Sequence, residues 1–432
     1  MPTRIERLLG PMPGQREARA FSVIAIVGAT IACAISLYFG FRGETFMGRP
    51  LGTDFVQFYA AGKVLNQHEP ARIYDIPEFS RLQHQILPEM ASNQMLVFAY
   101  PPAVGQLFRP FALLPYRWAY SAWLVFSLAV YTTGLWLLFR KRAFDGYRRV
   151  AFLLSLSAPM YTFETWIGGQ LSVITFFAVV LFVHCFENRW LLLAGIALGL
   201  ASFKPSLIAI PAAVMIVSGC WRMLAGLCTS TGLMVLTSMA TAGVDGFGQW
   251  IVRLRVFTAI ATGNDSILRR TKYVDVTSFF TILLGGNPVA RGIAALVMAA
   301  AFGTLALAWW RSRHQPHEVQ RYLWAATLLW MLILNIYVPV YDTVLMIPAM
   351  ALLATGALRH GAEQPRALQA WLTPLWLLPW LTQTFADLLR LQIFTILLAG
   401  VGYWALSLAR RNSSSRLWMA EKGAPALAGK NS

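Results

Sequence analysis

Apolar residues come in long runs along this chain, broken by short polar connections. The hydrocarbon core of a bilayer, about 30 Å thick, takes roughly 20 apolar residues as a helix. Runs of this kind fall at 21–41, 117–139, 148–166, 171–186, 190–204, 205–219, 222–242, 289–310, 321–339, 343–358, 367–385 and 389–408. They predict an all-α polytopic integral membrane protein, a bundle of about 12 transmembrane helices. The stretches 96–115 and 276–287 are also apolar, and each either adds a helix or lies at the interface.

Two connections, 42–116 and 243–288, are longer and more polar than the rest. In the first, 54–65 reads as an amphipathic helix with Phe55, Phe58, Tyr59 and Gly62 on one side, and 77–86 as another. A third falls near 246–260. Such helices are expected to lie flat on the membrane surface. The chain therefore divides into a polar segment 1–20, a transmembrane domain 21–410 and a polar tail 411–432.

Charge orients the bundle. Placing the N-terminus inside gives the inner connections Arg4, Arg7, Arg16 and Arg19, then Arg140, Lys141, Arg142, Arg148 and Arg149, and later Arg311, Arg313, Arg321, Arg410 and Arg411. The short outer connections carry only Lys204 and Arg390. Positive residues accumulate on the cytoplasmic side. Both ends are thus expected in the cytoplasm of a bacterial cell, in its inner membrane, with the two long loops on the periplasmic face.

Composition agrees: 57% of the 432 residues are hydrophobic and 13% charged, against about 25% charged in soluble domains. The net charge of +17 reads as orientation and contact with anionic lipid head groups, not as a nucleic-acid surface. The run from Phe21 to Phe41 is too long for the apolar region of a signal peptide. Cys33, Cys185, Cys220 and Cys228 lie in apolar runs without a CxxC pair, and the six histidines are scattered, so no metal or disulfide motif is present.

The unusual polar residues gather on the outer side: Asp54, Tyr74-Asp75, Tyr100-Pro101-Pro102, Glu164, Gly168-Gly169-Gln170, Lys204-Pro205, Arg269, Arg270, Lys272, Asp275 and Tyr341-Asp342. Ionisable groups at membrane depth are costly and mark function. Clustering on one face indicates an outward-facing site rather than a path through the membrane.

The segment Gly52-Thr53-Asp54-Phe55-Val56-Gln57-Phe58-Tyr59-Ala60-Ala61-Gly62, followed by Tyr74-Asp75, resembles the DFxxFYxAG…YD pattern of glycosyltransferase family 87 (DUF2029). Tyr100-Pro101-Pro102, Gly169-Gln170 and Lys204-Pro205 follow in the family's order. The resemblance spans roughly residues 50–345. It implies the GT-C fold, with a catalytic carboxylate in the first outer loop. It also implies inverting transfer of a hexose, often mannose, from a polyprenyl-phosphate carrier to a glycolipid or glycan. Some members carry a His near the later outer loops, where this chain has Tyr341-Asp342.

The chemistry asks for these residue types. The acceptor hydroxyl must lose a proton as it attacks the anomeric carbon, and a positioned carboxylate accepts it; Asp54 is the matching position. Cations stabilise the leaving lipid phosphate, which points to Lys204, Arg269, Arg270 and Lys272. Tyr59, Tyr74, Tyr100, Gln170, Tyr341 and Asp342 complete the expected substrate-binding set. No cofactor beyond the lipid-linked donor is implied, and dependence on a divalent metal stays open.

Structural alternatives exist for each group. Asp54 is equally placed to cap a helix. Lys204 marks a helix end, where a lysine snorkels. The cluster 269–272 reads also as a head-group contact, and Tyr100-Pro101-Pro102 as a rigid turn. A lipid or lipid-linked-sugar transporter or flippase is the competing reading of the whole chain, although no internal repeat supports it. A non-catalytic assembly protein is the third.

Overall fold

The computed structural model describes residues 14–421 except 93, 145, 263–269 and 359–362. Among the described residues the chain is all-helical, with two isolated bridges and no strand. A backbone in hydrocarbon must satisfy its own polar groups, and a helix does so within one segment. Among the described residues six helices are long and apolar enough to cross a membrane: α1 (Gln15–Phe41), α5 (Tyr116–Phe139), most of α10 (Trp221–Thr262), α12 (Pro288–Ser312), the stretch Val340–Ala357 and most of α16 (Ile393–Glu421).

Every apolar run expected from the sequence coincides with helix, although several helices are short. They are α6 (Arg148–Leu156), α7 (Ser172–Glu187), α8 (Leu191–Gly199), α9 (Pro205–Ser218), α13 (His317–Ile333) and α14 (Met346–Ala357), while α15 (Glu363–Leu389) is long but carries Pro374 and Pro379. The run 148–166 is broken at Pro159 into α6 and a π-helical stretch, Met160–Ile167. The run 321–339 stops as helix at Ile333. Gly243, at φ 70°, bends α10, and the helix expected near 246–260 is its second half.

The middle of the bundle is the pair α13 and α14. All twelve residues of α14 are buried, as are Arg321 to Ile333 of α13. A helix apolar on all sides belongs in the interior. Around this pair α16 and α9 pack on α13, α5 packs on α7, and α8 packs between α7 and α10.

The first long loop forms α2 (Phe55–Asn66), α3 (Ile76–Ile86) and α4 (Pro102–Phe108). The expectation of a surface-lying helix over 54–65 is corrected here. Apart from Lys63 and Asn66, every residue of α2 is buried. Phe55 sits among Phe108, Tyr116, Tyr120 and Trp123, and Phe58 stacks on Phe108 at 5.0 Å. On the remaining side, Gly62 lets the Phe108 carbonyl approach to 2.6 Å from where a Cβ would stand. The outward side of α2 is thus covered by α4, which sequence periodicity cannot reveal.

Small residues set the tightest helix crossing. A Cβ on Gly195 of α8 would stand 1.8 Å from the Met223 carbonyl of α10, and one on Gly226 would stand 2.1 Å from the Leu192 carbonyl. Such contacts let membrane helices pack backbone to backbone. Gly226→Val is expected to cost about 1–3 kcal/mol or more through overpacking, lowering the thermal unfolding temperature in detergent. Gly232→Ala, on the same helix with open space around it, is the control and should hold or raise stability by up to about 1 kcal/mol.

Candidate active site

Three aspartates head helices in the two long loops, and their side chains separate them. Asp75 Oδ1 accepts from Glu78 N at 3.1 Å and caps α3. Asp275 Oδ1 accepts from Ser278 N at 2.8 Å and caps α11 (Val276–Leu284). Asp54 precedes α2 but makes no capping bond. Its Oδ2 instead accepts from Gln170 Nε2 at 2.7 Å, across 116 residues of sequence. The carboxylate is therefore not consumed by its own helix.

Its position is held by backbone. Asp54 N donates to the Gly168 carbonyl at 3.2 Å, and Phe55 N to that of Gly52 at 2.8 Å. Tyr116 OH bonds the carbonyls of Leu51 and Gly52 at 2.8 and 3.0 Å, and Tyr120 OH that of Ile167 at 2.6 Å. Both tyrosines lie on the first turns of α5, which so staples the Asp54 turn to the end of the π-helix. Gly169 takes φ +73°, and a Cβ there would come 2.7 Å from Phe55 Cβ, so glycine is required both for the turn and for the contact. π-Helical turns recur at functional sites; this one presents Glu164 and feeds directly into Gly168-Gly169-Gln170.

Asp54 is half-buried. Burial raises its pKa above the ordinary aspartate value; the Gln170 bond pulls the other way, the Glu164 carboxylate adds to the rise, and Lys272 and Arg49 oppose it. Glu164 itself accepts from Gln383 Nε2 at 3.3 Å.

Lys272 ends a 3₁₀ turn opened by Arg270. The strap that follows is fixed on two sides. Val274 N donates to the Val338 carbonyl at 2.9 Å, and Val338 N donates to Asp275 Oδ2 at 3.0 Å. Gln392 Nε2 donates to the carbonyls of Thr271 and Tyr273, both at 3.0 Å, and Thr395 Oγ1 to that of Val274 at 2.7 Å. Burial pushes the Asp275 carboxyl up to about 6 despite these donors.

A second ionic centre lies beside the first. Lys204, just ahead of α9, places Nζ 2.5 Å from Asp342 Oδ1 and 3.2 Å from Ser172 Oγ; Ser172 Oγ in turn donates to Asp342 Oδ1 at 2.6 Å. The Tyr341 ring lies 5.1 Å from Nζ, within cation–π range. Asp342 stands on the 3₁₀ turn Val340–Leu345, tied to the π-helix by Thr165 Oγ1 on the Tyr341 carbonyl at 3.3 Å. Tyr100 links the two centres: burial first, then the charges of Asp342 and Asp54, raise its phenol well above the usual value.

The structure thus brings Asp54, Gln170, Tyr100, Lys204, Lys272, Tyr341 and Asp342 into one neighbourhood, with Arg270 on the adjoining turn. Arg269 lies outside the described residues. Tyr59 and Tyr74 brace the loop: Tyr59 OH bonds the Leu114 carbonyl at 2.8 Å and Tyr74 OH that of Tyr100 at 2.7 Å. Ser172 joins the site through its bonds to Asp342 and Lys204, and Arg49 and Glu164 through their charges on Asp54. Among the described residues no group of three His, Cys, Asp or Glu is placed to hold a metal ion.

The profile of glycosyltransferase family 87 matches residues 98–337, more than half of the chain. No curated protein and no solved structure matches it. The matched span includes Gln170 and Lys204, and these two side chains bind the carboxylates of Asp54 and Asp342, which flank the span on either side.

Gln170→Leu removes the one hydrogen bond that favours the ionised Asp54. A group whose folded pKa is already raised is then raised further, so its carboxylate is lost at higher pH as acidity increases. The acidic limb of kcat/KM for sugar transfer should move to higher pH in the variant; an unmoved limb would detach that limb from Asp54.

Proposed function

The chain belongs to glycosyltransferase family 87, and we propose that it transfers a hexose, mannose or a close relative, from a polyprenyl-phosphate carrier to a glycolipid or glycan acceptor. The proposed setting is a bacterial inner membrane crossed about a dozen times, with Asp54 at the periplasmic face and both termini in the cytoplasm. The observation that carries the reading is an aspartate that heads a helix without capping it and is held by Gln170.

Asp54 acts as general base. Its Oδ2 is occupied by Gln170, and Oδ1 receives the proton of the acceptor hydroxyl. The acceptor oxygen forms its bond to the anomeric carbon from the face opposite the leaving group. The bond from that carbon to the phosphate oxygen breaks, and its electron pair leaves with the lipid phosphate. The anomeric configuration inverts. A raised pKa makes ionised Asp54 a stronger base than an exposed aspartate, closer to neutrality where general bases work best.

Developing charge on the phosphate needs cations. Lys204 is already paired with Asp342. Lys272 and Arg49 both act on Asp54 and make no ion pair among the described residues, so the phosphate is assigned to them, with Arg270 on the same turn. The Lys204–Asp342–Ser172 centre and the rings of Tyr100 and Tyr341 are assigned to the sugar and acceptor.

Asp54→Asn should lower transfer from a radiolabelled polyprenyl-phosphate mannose by about 10²–10⁴-fold while leaving the unfolding temperature near that of the wild type. Full activity in a folded variant would reject Asp54 as the base. Lys272→Met should raise the KM for the lipid-linked donor while leaving that for the acceptor nearly unchanged.

A further inference from the structure

An apolar cavity lies away from Asp54. It encloses about 370 Å³ between the start of α1, the end of α5, α6, α14 and the first half of α15. That volume falls within the range of small-molecule sites, about 300–1,000 Å³. The walls are almost wholly apolar, with Phe21, Phe139, Leu154, Met350 and Leu372 prominent. The helix α5 measures the separation. Its first turn holds the Asp54 loop through Tyr116, and its last residue, Phe139, lines the cavity. At 1.5 Å per residue, its 24 residues span about 36 Å, enough to cross a hydrocarbon core of about 30 Å.

An apolar cleft open within hydrocarbon does not hold water, and left empty it forfeits the dispersion contacts of its whole lining. Its mouth carries the opposite chemistry. Arg16 and Arg19 on α1 and Arg149 on α6 are exposed beside the lining residues, with Glu17 on α1's first turn. Arg19 Nη2 donates to Gln15 Oε1 at 3.3 Å, and Gln15 lines the cavity. Guanidinium groups above an apolar slot match a phosphate head group above a hydrocarbon chain.

We infer that this cavity holds an acyl chain of an anionic phospholipid from the leaflet opposite Asp54, its phosphate lying against the arginines of α1 and α6. The chain end would reach the foot of the active site. Ala158 stands just before the π-helix that carries Glu164, and Met346 directly follows the turn that carries Asp342; both line the cavity. A bound chain supports both segments from below, so the lipid composition of one leaflet bears on a site at the other.

The test uses the full chain, reconstituted in nanodiscs of phosphatidylcholine and phosphatidylglycerol in equal amounts, with retained lipid counted and identified by native mass spectrometry. The wild type should keep one phosphatidylglycerol per chain after detergent exchange. Ala351→Phe, which fills the cavity, should lose it while unfolding at or above the wild-type temperature. The exposed pair Arg19→Gln with Arg149→Gln, which leaves the core intact, should still retain a lipid but lose its preference for phosphatidylglycerol by roughly tenfold. Equal retention in the wild type and Ala351→Phe would overturn the inference. So would an unchanged preference in the arginine pair, or a polyprenyl phosphate as the retained species. None of these readouts depends on transferase activity.

Discussion

A backbone that leaves the helical state inside a membrane must find other partners for its amides and carbonyls. That requirement shapes the functional end of this molecule. Four stretches depart from α-helix there: the Asp54 turn, the π-helix with its glycine exit, the strap 271–275 and the segment 334–345. They satisfy one another. Asp54 N meets the Gly168 carbonyl, Thr165 meets that of Tyr341, and Val274 and Val338 pair in both directions through Asp275. The tyrosines of α5 take up the remaining carbonyls at Leu51, Gly52 and Ile167. Irregular backbone is tolerated because it is concentrated, and its concentration gathers polar side chains from distant parts of the chain.

The two ionic centres use charge differently. Lys204 and Asp342 compensate each other under Ser172, and a buried pair of this kind specifies an arrangement more than it stabilises one. Asp54 has only an amide as direct partner, so its charge is under-compensated by contact and answered at longer range by Lys272 and Arg49. The Lys204–Asp342 centre behaves as framework, and Asp54 is able to respond to a bound anion or to a proton leaving a bound hydroxyl.

Much of the scaffold was legible because hydrocarbon enforces a single secondary structure and a minimum length. Each apolar run contains helix, and among the described residues six of the helices are long and apolar enough to cross a membrane. The burial of α2 was not legible: its apolar side was readable, but the covering by α4 depends on Gly62 and Phe108, 46 residues apart. The catalytic candidate was readable as a residue and ambiguous as a role, since an aspartate ahead of an apolar helix signals a cap equally well. Only the 2.7 Å bond from Gln170 separates the two. Lys204 was readable as an isolated cation, whereas its partner Asp342, 138 residues later, was not readable as a partner. Tyr59 and Tyr74 lie in the segment that resembles the family pattern, ahead of the matched span, and their hydroxyls brace carbonyls, a distinction that motif spacing does not encode.

That long separation has a consequence for biogenesis. The chain is made from its N-terminus, so Lys204 enters the membrane interface well before Asp342 has been synthesised. Until then an uncompensated ammonium sits at the start of α9, where burial would be costly. The early helices can insert, but α9 cannot settle to its final depth until the turn at 340–345 arrives to neutralise it. The ion pair therefore ties the seating of α9 to the arrival of the 340–345 turn, and Gln392 and Thr395, which hold the strap, come later still.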